Sequence, residues 1–460
     1  MTHLLFAEHA LLPTGWARDV LLQWTPQGQW HAIVAGQTPT ADVPRAPGPV
    51  VPGMPNLHSH AFQRALAGLT EFRSNAQDSF WSWRTLMYRF AAQLSPAQLE
   101  AIATGLYVEM LEAGYTSVCE FHYLHHAANG QAFAEPAEMS LALLRAAKRT
   151  GMGLTLLPVL YQTSGFGGTA PTPGQGRFIH STDAMMRLLE RLQPLCQAQS
   201  ARLGLAPHSL RAVPPEGLRE VLLGLDAMDA TAPVHIHIAE QRAEVDACLA
   251  WSGQRPVAWL LDHAPVNARW CLVHATHMDA QEYRRAAASG AVAGLCPTTE
   301  ANLGDGIFEF NTWQDHQGAW GIGSDSHIAV HPAEDLMMLE YSQRLSLGQR
   351  NVAAHATQPE VAQALWQGAV AGGAQAAGRP VGGLAPGQQA DFIVLDTSHP
   401  TLAGLSPEMM LASHVFASSR SSAVAQVWSS GQALVQQGRH ALHESAMAGL
   451  VQARSQLLKG

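Results

Sequence analysis

Eight apolar runs rich in strand-favouring residues recur along the middle of this chain, and amphipathic stretches separate most of them. The runs lie at residues 50–60, 114–123, 153–161, 202–211, 233–240, 270–277, 291–300 and 320–327. Stretches between them, such as SPAQLEAIATGLYVEMLEAG, have the i, i+3, i+4 apolar spacing of helices that face a core. Alternating strands and helices predict a parallel sheet, and eight such units close into a (β/α)8 barrel of the α/β class.

The two ends of the chain differ in character from its middle. Residues 1–50 contain short alternating strands broken by turn signals such as LLPTGW, and a similar β-rich pattern with Gly and Pro turns returns at 380–440. Each piece is too short to fold alone. We therefore expect a small β-sandwich domain formed by residues 1–50 with 380–460, beside a barrel domain of residues 51–379.

Composition places the chain among globular proteins and excludes several kinds of partner. With 47% apolar and 14% charged residues in 460, it can bury a large core. A net charge of -9 argues against nucleic-acid and anionic-membrane partners, and no apolar stretch reaches the length of a transmembrane helix. Five cysteines without a CxxC pair, and no signal-peptide pattern, favour reduced thiols and a cytoplasmic location. The sequence leaves both a monomer and a homodimer open.

Polar residues at the ends of the runs form a candidate metal site. In a β/α barrel the carboxyl ends of the strands build one mouth, where the active site lies. His58 and His60 lie two residues apart, so they point to the same side of strand 1. His237 ends strand 5, with His235 as the alternative; Asp325 ends strand 8, where helix capping is the alternative. These three imidazoles and one carboxylate suit Zn²⁺, with Fe²⁺ or Mn²⁺ as alternatives and water completing the shell.

Two further ionisable residues follow strands 5 and 6. Glu240 lies three residues after His237, and His274 ends strand 6 in LVHATH. The alternative for Glu240 is a carboxylate in the first turn of a helix, and for His274 a structural histidine. His277 is a weaker candidate, expected outside the ligand set. Together with Asp325, Glu240 and His274 would supply the acid and base groups that metal-assisted hydrolysis requires.

Several motifs carry a resemblance to a known family. NLHSHAFQRALAG (56–68), HIHIAEQ (235–241), LVHATH (272–277), GIGSDSH (321–327) and the terminal GGLAPGQQADFIVLD resemble the amidohydrolase superfamily over essentially the whole chain. Within it, HSHAFQR and the combination of PHSLR with VHATH are most similar to the formimidoylglutamate deiminases. The resemblance implies hydrolysis of a formimidoyl (amidine) group to a formyl group, with release of ammonia.

Lysine usage distinguishes two kinds of amidohydrolase. Many members bridge two metal ions with a carboxylated lysine at the end of strand 4. Here that strand ends in APHSLR, and the chain contains only two lysines. Lys148 falls in a helical stretch before strand 3, and Lys459 lies next to the C-terminus. We therefore expect a single metal ion, which is typical of the deaminases in the superfamily.

A small dicarboxylate amidine, such as N-formimidoyl-L-glutamate, requires groups that bind two carboxylates, a task for which arginine is suited. Arg211 follows strand 4, close to the mouth. Arg84 lies in the long segment 62–113, which could fold over as a lid; a loop-anchoring role is its alternative. By resemblance, both arginines match substrate contacts of the deiminases, as do three residues at strand ends or in the first loop: Gln63, Tyr123 and His208.

Two other functions compete with this interpretation. The first is another single-metal deaminase of the same barrel, acting on guanine, an adenosine derivative or a triazine. Ring substrates favour aromatic stacking with few arginines, so Arg84 and Arg211 favour a small dianion instead. The second is an inactive barrel that serves as a binding or structural protein. The complete set of metal, acid and base residues argues against it.

Overall fold

The described chain, residues 2–71, 80–418 and 422–459 of a computed structural model, consists of a parallel barrel and a sheet built from both termini. The strands are β1 (His3–Leu12), β2 (Gly15–Trp24), β3 (Trp30–Val34), β4 (Val50–Pro52), β5 (Met54–Ser59), β6 (Tyr115–His122), β7 (Gly153–Leu160), β8 (Arg202–Leu203), β9 (Ala206–Pro207), β10 (Val234–Ile238), β11 (Trp270–His274), β12 (Val292–Leu295), β13 (Trp320–Ile322), β14 (Phe392–Leu395), β15 (Val424–Ser429), β16 (Gln432–Gln436) and β17 (Arg439–His440).

Helices follow most of the barrel strands, and two more lie in the C-terminal segment. They are α1 (Phe80–Gln93), α2 (Pro96–Ala113), α3 (Glu138–Thr150), α4 (Thr182–Ala198), α5 (Pro215–Asp229), α6 (Arg242–Ser252), α7 (Pro256–His263), α8 (Ala280–Ala288), α9 (Pro297–Leu303), α10 (Phe310–Asp315), α11 (Pro332–Leu347), α12 (Val361–Ala377), α13 (Pro407–Ala417) and α14 (His443–Leu457), with short 3-10 helices at Ala61–Leu66 and Pro173–Gln175. Across the described ranges, no helix combines the length and apolar character needed to cross a membrane.

The predicted (β/α)8 barrel is confirmed. Strands β5 to β8 pair in parallel, with β9 also on β7, and strands β10 to β13 form a second parallel set. Two parallel bridges join the sets into a closed ring, Leu205 with Val234 and Ser59 with Asp325. The second bridge brings the end of strand 1 beside the end of strand 8. The ring therefore places the predicted polar strand ends at one mouth.

Two of the predicted barrel strands are divided. The run 50–60 contains β4, which pairs with β1 and β14, and β5, which pairs with β6 in the barrel. Gly53 separates them and passes so close to Thr116 that a side chain would clash. The run 202–211 contains only the dipeptide strands β8 and β9, and residues 209–211 follow them at the mouth, outside any strand. Strand continuity depends on pairing partners, which an apolar run does not specify.

The expected union of the two termini is also confirmed. Strands β1 to β4 and β14 to β17 form one mixed sheet, in the order β17-β16-β15-β14-β4-β1-β2-β3. Trp24 on β2 lies 5.6 Å from Trp428 on β15, ring centre to ring centre, although three strands separate them in the sheet. Neighbouring strands lie about 4.8 Å apart, so the sheet must curl on itself around a core that includes Trp30 and Phe392. The boundaries at 50/51 and 379/380 stay predictions.

The long segment between strands 1 and 2 contains two helices that frame the mouth. The predicted helix α2 begins after Ser95, whose hydroxyl accepts the N–H of Gln98 at 3.2 Å, and ends at Gly114 with a φ of 107°. This left-handed residue turns the chain directly into β6. Helix α1 precedes α2 and carries Arg84 to the cavity described below. Residues 72–79 of the predicted lid segment lie outside the described residues.

Candidate active site

Four predicted metal ligands converge at the barrel mouth. The Nε2 atom of His58 lies 3.2 Å from Nε2 of His60 and 3.0 Å from Nε2 of His237. Oδ1 of Asp325 lies 3.4 Å from Nε2 of His58 and 3.3 Å from that of His60. All four side chains are buried, and their donor atoms lie within 4.8 Å of one another. Three nitrogens and one oxygen so arranged suit a divalent cation with a preference for nitrogen ligands.

Hydrogen bonds between strand 1 and strand 8 hold this cluster in register. The side chain of Asn56 donates to Ser324 Oγ at 2.7 Å and accepts the backbone N–H of Ser324 at 3.1 Å. One residue on, the backbone N–H of Asp325 donates to the carbonyl of His58 at 3.0 Å. Asp325 has a φ of 47°, a left-handed conformation that costs energy for a residue with a side chain. The surrounding hydrogen bonds therefore hold its carboxylate towards the imidazoles.

The outer nitrogens of two ligands establish which ring atom faces the centre. Nδ1 of His60 lies 2.8 Å from the carbonyl oxygen of Phe121, and Nδ1 of His237 lies 3.2 Å from that of His208. A carbonyl only accepts, so each Nδ1 carries the proton and each Nε2 presents a lone pair. Lone pairs pointed at one another across about 3 Å are complementary to a cation. The residues present therefore fit a metal ion.

Burial keeps the three imidazoles neutral. It lowers the pKa of His58 to about 3, and lowers the pKa values of His60 and His237 as well. Burial would raise the pKa of Asp325, but the neighbouring imidazoles, above all His58, hold it below its usual range. Neutral imidazoles and an ionised carboxylate are the protonation states in which these groups bind metals.

Beside the metal cluster lie the two further predicted ionisable residues. Nε2 of His274 is 3.8 Å from Oε1 of Glu240 and 3.9 Å from Oδ2 of Asp325. Burial alone would lower the pKa of His274, but the surrounding carboxylates raise it to about 10, Glu240 being the strongest. Burial raises the pKa of Glu240 to about 7. A carboxyl group that holds its proton near neutral pH is suited to act as a general acid.

A cavity opens on this cluster. Its walls include all five residues that the sequence assigned to substrate binding: Gln63, Arg84, Tyr123, His208 and Arg211. Gln63 donates to the hydroxyl of Tyr123 at 3.0 Å, while its own carbonyl oxygen has no hydrogen-bond partner among the described residues. Nη1 of Arg211 is buried and lacks a partner in the same part of the chain. Among the residues that line the cavity, Gln63 and Arg211 thus bring one unpartnered acceptor and one unpartnered cationic donor.

The weaker candidates point elsewhere. Nε2 of His235 bonds the carbonyl of Ala376 at 2.8 Å, on the side of helix α12. Nε2 of His277 bonds the carbonyl of Asp305 at 2.8 Å, so His277 contacts neither the cluster nor the cavity. Lys148 and Lys459 are both exposed, and neither is among the residues that line the cavity.

Sequence reasoning missed several residues of the site. Glu300, on helix α9 after strand 7, lies 3.2 Å from Nδ1 of His274 through its Oε1 atom. Tyr161 ends strand 3 and lines the cavity, a position that the strand-end rule already indicated. Tyr88 on helix α1 lines it too, and Gln175 bonds both tyrosines. Tyr88 and Gln175 lie away from the strand ends, so the rule that located the other site residues did not indicate them.

Comparison with known proteins agrees with this geometry. The model of the amidohydrolase family matches residues 50–434. The chain belongs to the amidohydrolase family. A curated relative of this amidohydrolase, the formimidoylglutamate deiminase of Pseudomonas aeruginosa, is 50% identical over 458 residues, 99% of each chain. The 8-oxoguanine deaminase of the same organism is 28% identical over 354 residues, 75% of this chain and 73% of the relative.

Solved structures give the same result for the fold. The crystal structure of an amidohydrolase from Brucella melitensis is 48% identical, with a TM-score of 0.94 over 99% of this chain and 100% of that one. An adenosine deaminase from Xanthomonas campestris, solved with bound zinc, is 21% identical, with a TM-score of 0.80 over 99% and 98% of the two chains. The second likeness concerns the fold alone. Barrel and terminal sheet are thus shared with other amidohydrolases.

Proposed function

We propose that this amidohydrolase hydrolyses N-formimidoyl-L-glutamate to N-formyl-L-glutamate and ammonia. One observation carries the proposal: a single cavity joins the His58, His60, His237 and Asp325 cluster to the side chains of Arg84 and Arg211. The two guanidinium groups suit a substrate with two carboxylates. The 50% identical relative named formimidoylglutamate deiminase, which spans the whole chain, supports the same substrate.

The four-residue cluster would hold one divalent metal ion, with Zn²⁺ preferred for its three imidazoles and one carboxylate, and Fe²⁺ or Mn²⁺ as alternatives. Such an ion supplies Lewis-acid activation of water, lowering its pKa from 15.7 towards about 7. A single ion is supported by the absence of lysine from the residues that line the cavity. A second ion of the bridged kind requires that side chain.

The acid and base residues divide the proton transfers between them. Asp325, assisted by His274 at 3.9 Å, accepts the proton of the attacking water as its oxygen bonds to the amidine carbon. The carbon becomes tetrahedral. Glu240 then donates its proton to the amino nitrogen, because an amide anion is a prohibitive leaving group, and the carbon–nitrogen bond breaks. Ammonia leaves, the hydroxyl proton of the tetrahedral carbon passes back to Glu240 as the carbon–oxygen double bond forms, and the formyl oxygen of the product comes from water.

A second candidate is a deaminase that acts on a ring, and the aromatic side of the cavity is the observation that favours it. Tyr88, Tyr123, Tyr161 and Phe178 line that side, and the 28% identical relative is named 8-oxoguanine deaminase. A neutral ring can offer the buried Nη1 of Arg211 only an uncharged acceptor, whereas a substrate carboxylate forms the stronger, charge-assisted hydrogen bond with it. The dianionic substrate is therefore favoured.

The deciding experiment measures ammonia release from N-formimidoyl-L-glutamate, guanine and S-adenosylhomocysteine side by side, on the purified protein with its metal content measured. We expect turnover of the glutamate derivative at least about 10³-fold more efficient than of either ring, since each missing charged hydrogen bond costs about 1.5–3 kcal/mol. Inertness towards the first substrate would contradict the proposal. Activity on a ring alone would establish the second candidate.

Three further assignments belong to the proposal. Residues 1–50 with 380–460 form an accessory β domain, and residues 51–379 form the catalytic domain. A cytoplasmic location is supported by five buried cysteines that all remain free thiols. A monomer and a homodimer both stay open for this protein, and sedimentation analysis decides between them.

A further inference from the structure

Two tyrosines from distant parts of the chain line the cavity. Tyr161 follows strand β7, and its ring packs edge-on against His208 with centroids 4.7 Å apart. Tyr88 lies on helix α1, one turn after Arg84. Both tyrosines line the cavity with the predicted substrate residues. Neither belongs to the metal cluster or to the acid and base residues, and their hydrogen bonds indicate a different role.

Gln175 connects the two hydroxyls, and its amide orientation is determined by its other partners. Its Oε1 atom accepts the backbone N–H of Thr172 at 2.7 Å and the Thr172 hydroxyl at 3.1 Å. A backbone N–H only donates, so the oxygen of the amide must face Thr172. The Nε2 atom therefore faces the tyrosines, and it lies 2.7 Å from the oxygen of Tyr161 and 3.5 Å from that of Tyr88.

Because Gln175 and Arg84 donate to the tyrosine oxygens, each hydroxyl proton remains available for donation to another group. The oxygen of Tyr88 accepts from Nε of Arg84 at 2.7 Å as well as from Gln175, which occupies both of its lone pairs. Tyr161 accepts from Gln175 alone, at 2.7 Å, so one of its lone pairs stays open. Within residues 2–71, 80–418 and 422–459, no acceptor bonds either hydroxyl proton. Gln175 and Arg84 thus orient the hydroxyls of two tyrosines that line the cavity, and both hydroxyl protons remain available to a ligand.

We propose that Tyr88 and Tyr161 are specificity-determining residues that donate hydrogen bonds to one substrate carboxylate beside Arg84, with Gln175 as their positioning residue. The inference rests on the proposed function and adds a donor set to it. A carboxylate presents acceptors only, so it pairs with the unbonded protons of both hydroxyls. At the wall formed by Tyr88, Tyr161 and Arg84, an N–H donor of a ligand finds at most the one open lone pair of Tyr161. The wall selects for a carboxylate at the end of the substrate.

The first test compares Tyr161→Phe and Tyr88→Phe with the wild-type holoenzyme. A hydrogen bond from a neutral donor to a charged acceptor contributes about tenfold to affinity. We therefore expect KM for N-formimidoyl-L-glutamate to rise about tenfold in each variant. The kcat should change less than about threefold, because the bond is present in both ground and transition states. N-formimidoylglycine lacks the second carboxylate, and both tyrosines are proposed to bind the same carboxylate, so the two variants should respond alike to this substrate; a loss in one variant alone would contradict a shared carboxylate.

A matched control is Tyr283→Phe, which removes a buried hydroxyl that accepts the N–H of Glu309 at 2.9 Å away from the cavity. It should leave KM unchanged whatever it does to stability. Gln175→Leu tests the positioning role. It should raise KM in the wild-type background, but raise it little further when Tyr88 and Tyr161 are already Phe, because Gln175 then has no hydroxyl to orient.

Binding of N-formyl-L-glutamate, measured by calorimetry on the same zinc-loaded proteins, separates the inference from the proposed function. Weaker binding in Tyr88→Phe and Tyr161→Phe by about tenfold supports the donor wall. Unchanged KM and Kd in both variants of an active deiminase overturn the inference alone. An equal loss of kcat without a change in KM overturns it too. A wild-type protein that neither binds this product nor releases ammonia from the substrate overturns both.

Discussion

Nδ1 of His274 lies 3.2 Å from Oε1 of Glu300, and the same carboxylate oxygen accepts the backbone N–H of Cys296 at 2.9 Å. The contact with Cys296 anchors Glu300, and Glu300 in turn orients the imidazole so that Nε2 faces Glu240 and Asp325. Orientation of a catalytic histidine by a second carboxylate is a common requirement of acid–base catalysis. Glu300 is therefore a positioning residue for the proposed reaction.

Replacement of this carboxylate should reduce turnover. In Glu300→Gln, the N–H of Cys296 keeps the amide oxygen in the position of Oε1, so His274 retains its partner and loses only the negative charge. We expect kcat to fall about 10- to 100-fold, with metal content unchanged. Ammonia release measures kcat, and inductively coupled plasma emission spectroscopy measures the metal content. Glu282→Gln is the control, since Glu282 is equally buried but bonds Arg255 and backbone N–H groups outside the cavity; a similar loss of kcat there would contradict a specific role.

Removal of the metal should abolish activity reversibly. Dialysis against a chelator is expected to leave less than about 1% of the ammonia release, because water at its free pKa of 15.7 is a poor nucleophile. Addition of Zn²⁺ should restore activity at one equivalent per chain, since the cluster of His58, His60, His237 and Asp325 provides one set of donors. Full activity that requires two equivalents would contradict the single-metal proposal. Parallel titrations with Fe²⁺ and Mn²⁺ rank the alternatives.

The barrel and the metal cluster were accessible to sequence reasoning because regular structure fixes where side chains point. His58 and His60 share a side because strand residues alternate, and strand ends meet at one mouth because the strands are parallel. The choice of His237 over His235 followed from its place nearer that mouth. Each inference needed only the period of a strand and the direction of the chain, both of which the apolar runs reveal.

Other parts of the site depend on contacts between distant segments. Gln175 reaches Tyr161 and Tyr88 because the loop after strand 3 folds against helix α1, a contact between residues 87 positions apart. Glu300 reaches His274 from the helix after the next strand. The division of run 50–60 likewise depends on pairing of β4 with β14, over 300 residues away. Apolar periodicity carries no information about such partners.

Arg211→Met should weaken substrate binding without loss of metal. Nη1 of Arg211 is buried without a partner among the described residues, so a substrate carboxylate is the acceptor that it lacks. Loss of a charged hydrogen bond of this kind costs about 1.5–3 kcal/mol, which lowers kcat/KM by about 10- to 100-fold. Arg191→Met, which removes an exposed ion pair with Glu135, is the matched control and should have wild-type kinetics. An unchanged rate in Arg211→Met would remove Arg211 from the site.

Gly323→Ala should disturb the metal cluster through its backbone. A Cβ atom at Gly323 would lie 2.7 Å from both the backbone nitrogen and Cβ of His58, closer than side chains approach. The added methyl group must push strand 1 outwards, at a cost of about 1–3 kcal/mol, and move a ligand with it. We expect less than one zinc per chain and a lower melting temperature. Gly449→Ala, in helix α14, meets only Ala101 at 3.8 Å, so it should keep full metal content.

His414 should make unfolding depend on pH far from the catalytic site. Burial between helices lowers its pKa to about 3, and neither of its ring nitrogens has a hydrogen-bond partner in the described part of the chain. Trp366 and His331 pack against it. Above the unfolded-state pKa of about 6.5, both states are neutral and the residue adds no pH dependence. As pH falls from about 6.5 towards 3, His414 binds a proton in the unfolded state but stays neutral in the folded state.

The free energy of unfolding should therefore decrease as pH falls through this window. His414 should contribute up to about 1.4 kcal/mol of that decrease per pH unit. His414→Leu keeps the volume and removes the titration, so its unfolding curves should lose less stability between pH 6.5 and 4.5 than those of the wild type. Urea unfolding at half-unit intervals of pH measures the slopes. His316→Leu, at an exposed position, controls for loss of a surface imidazole. Equal slopes in wild type and His414→Leu would show that His414 accepts a proton in the folded protein after all.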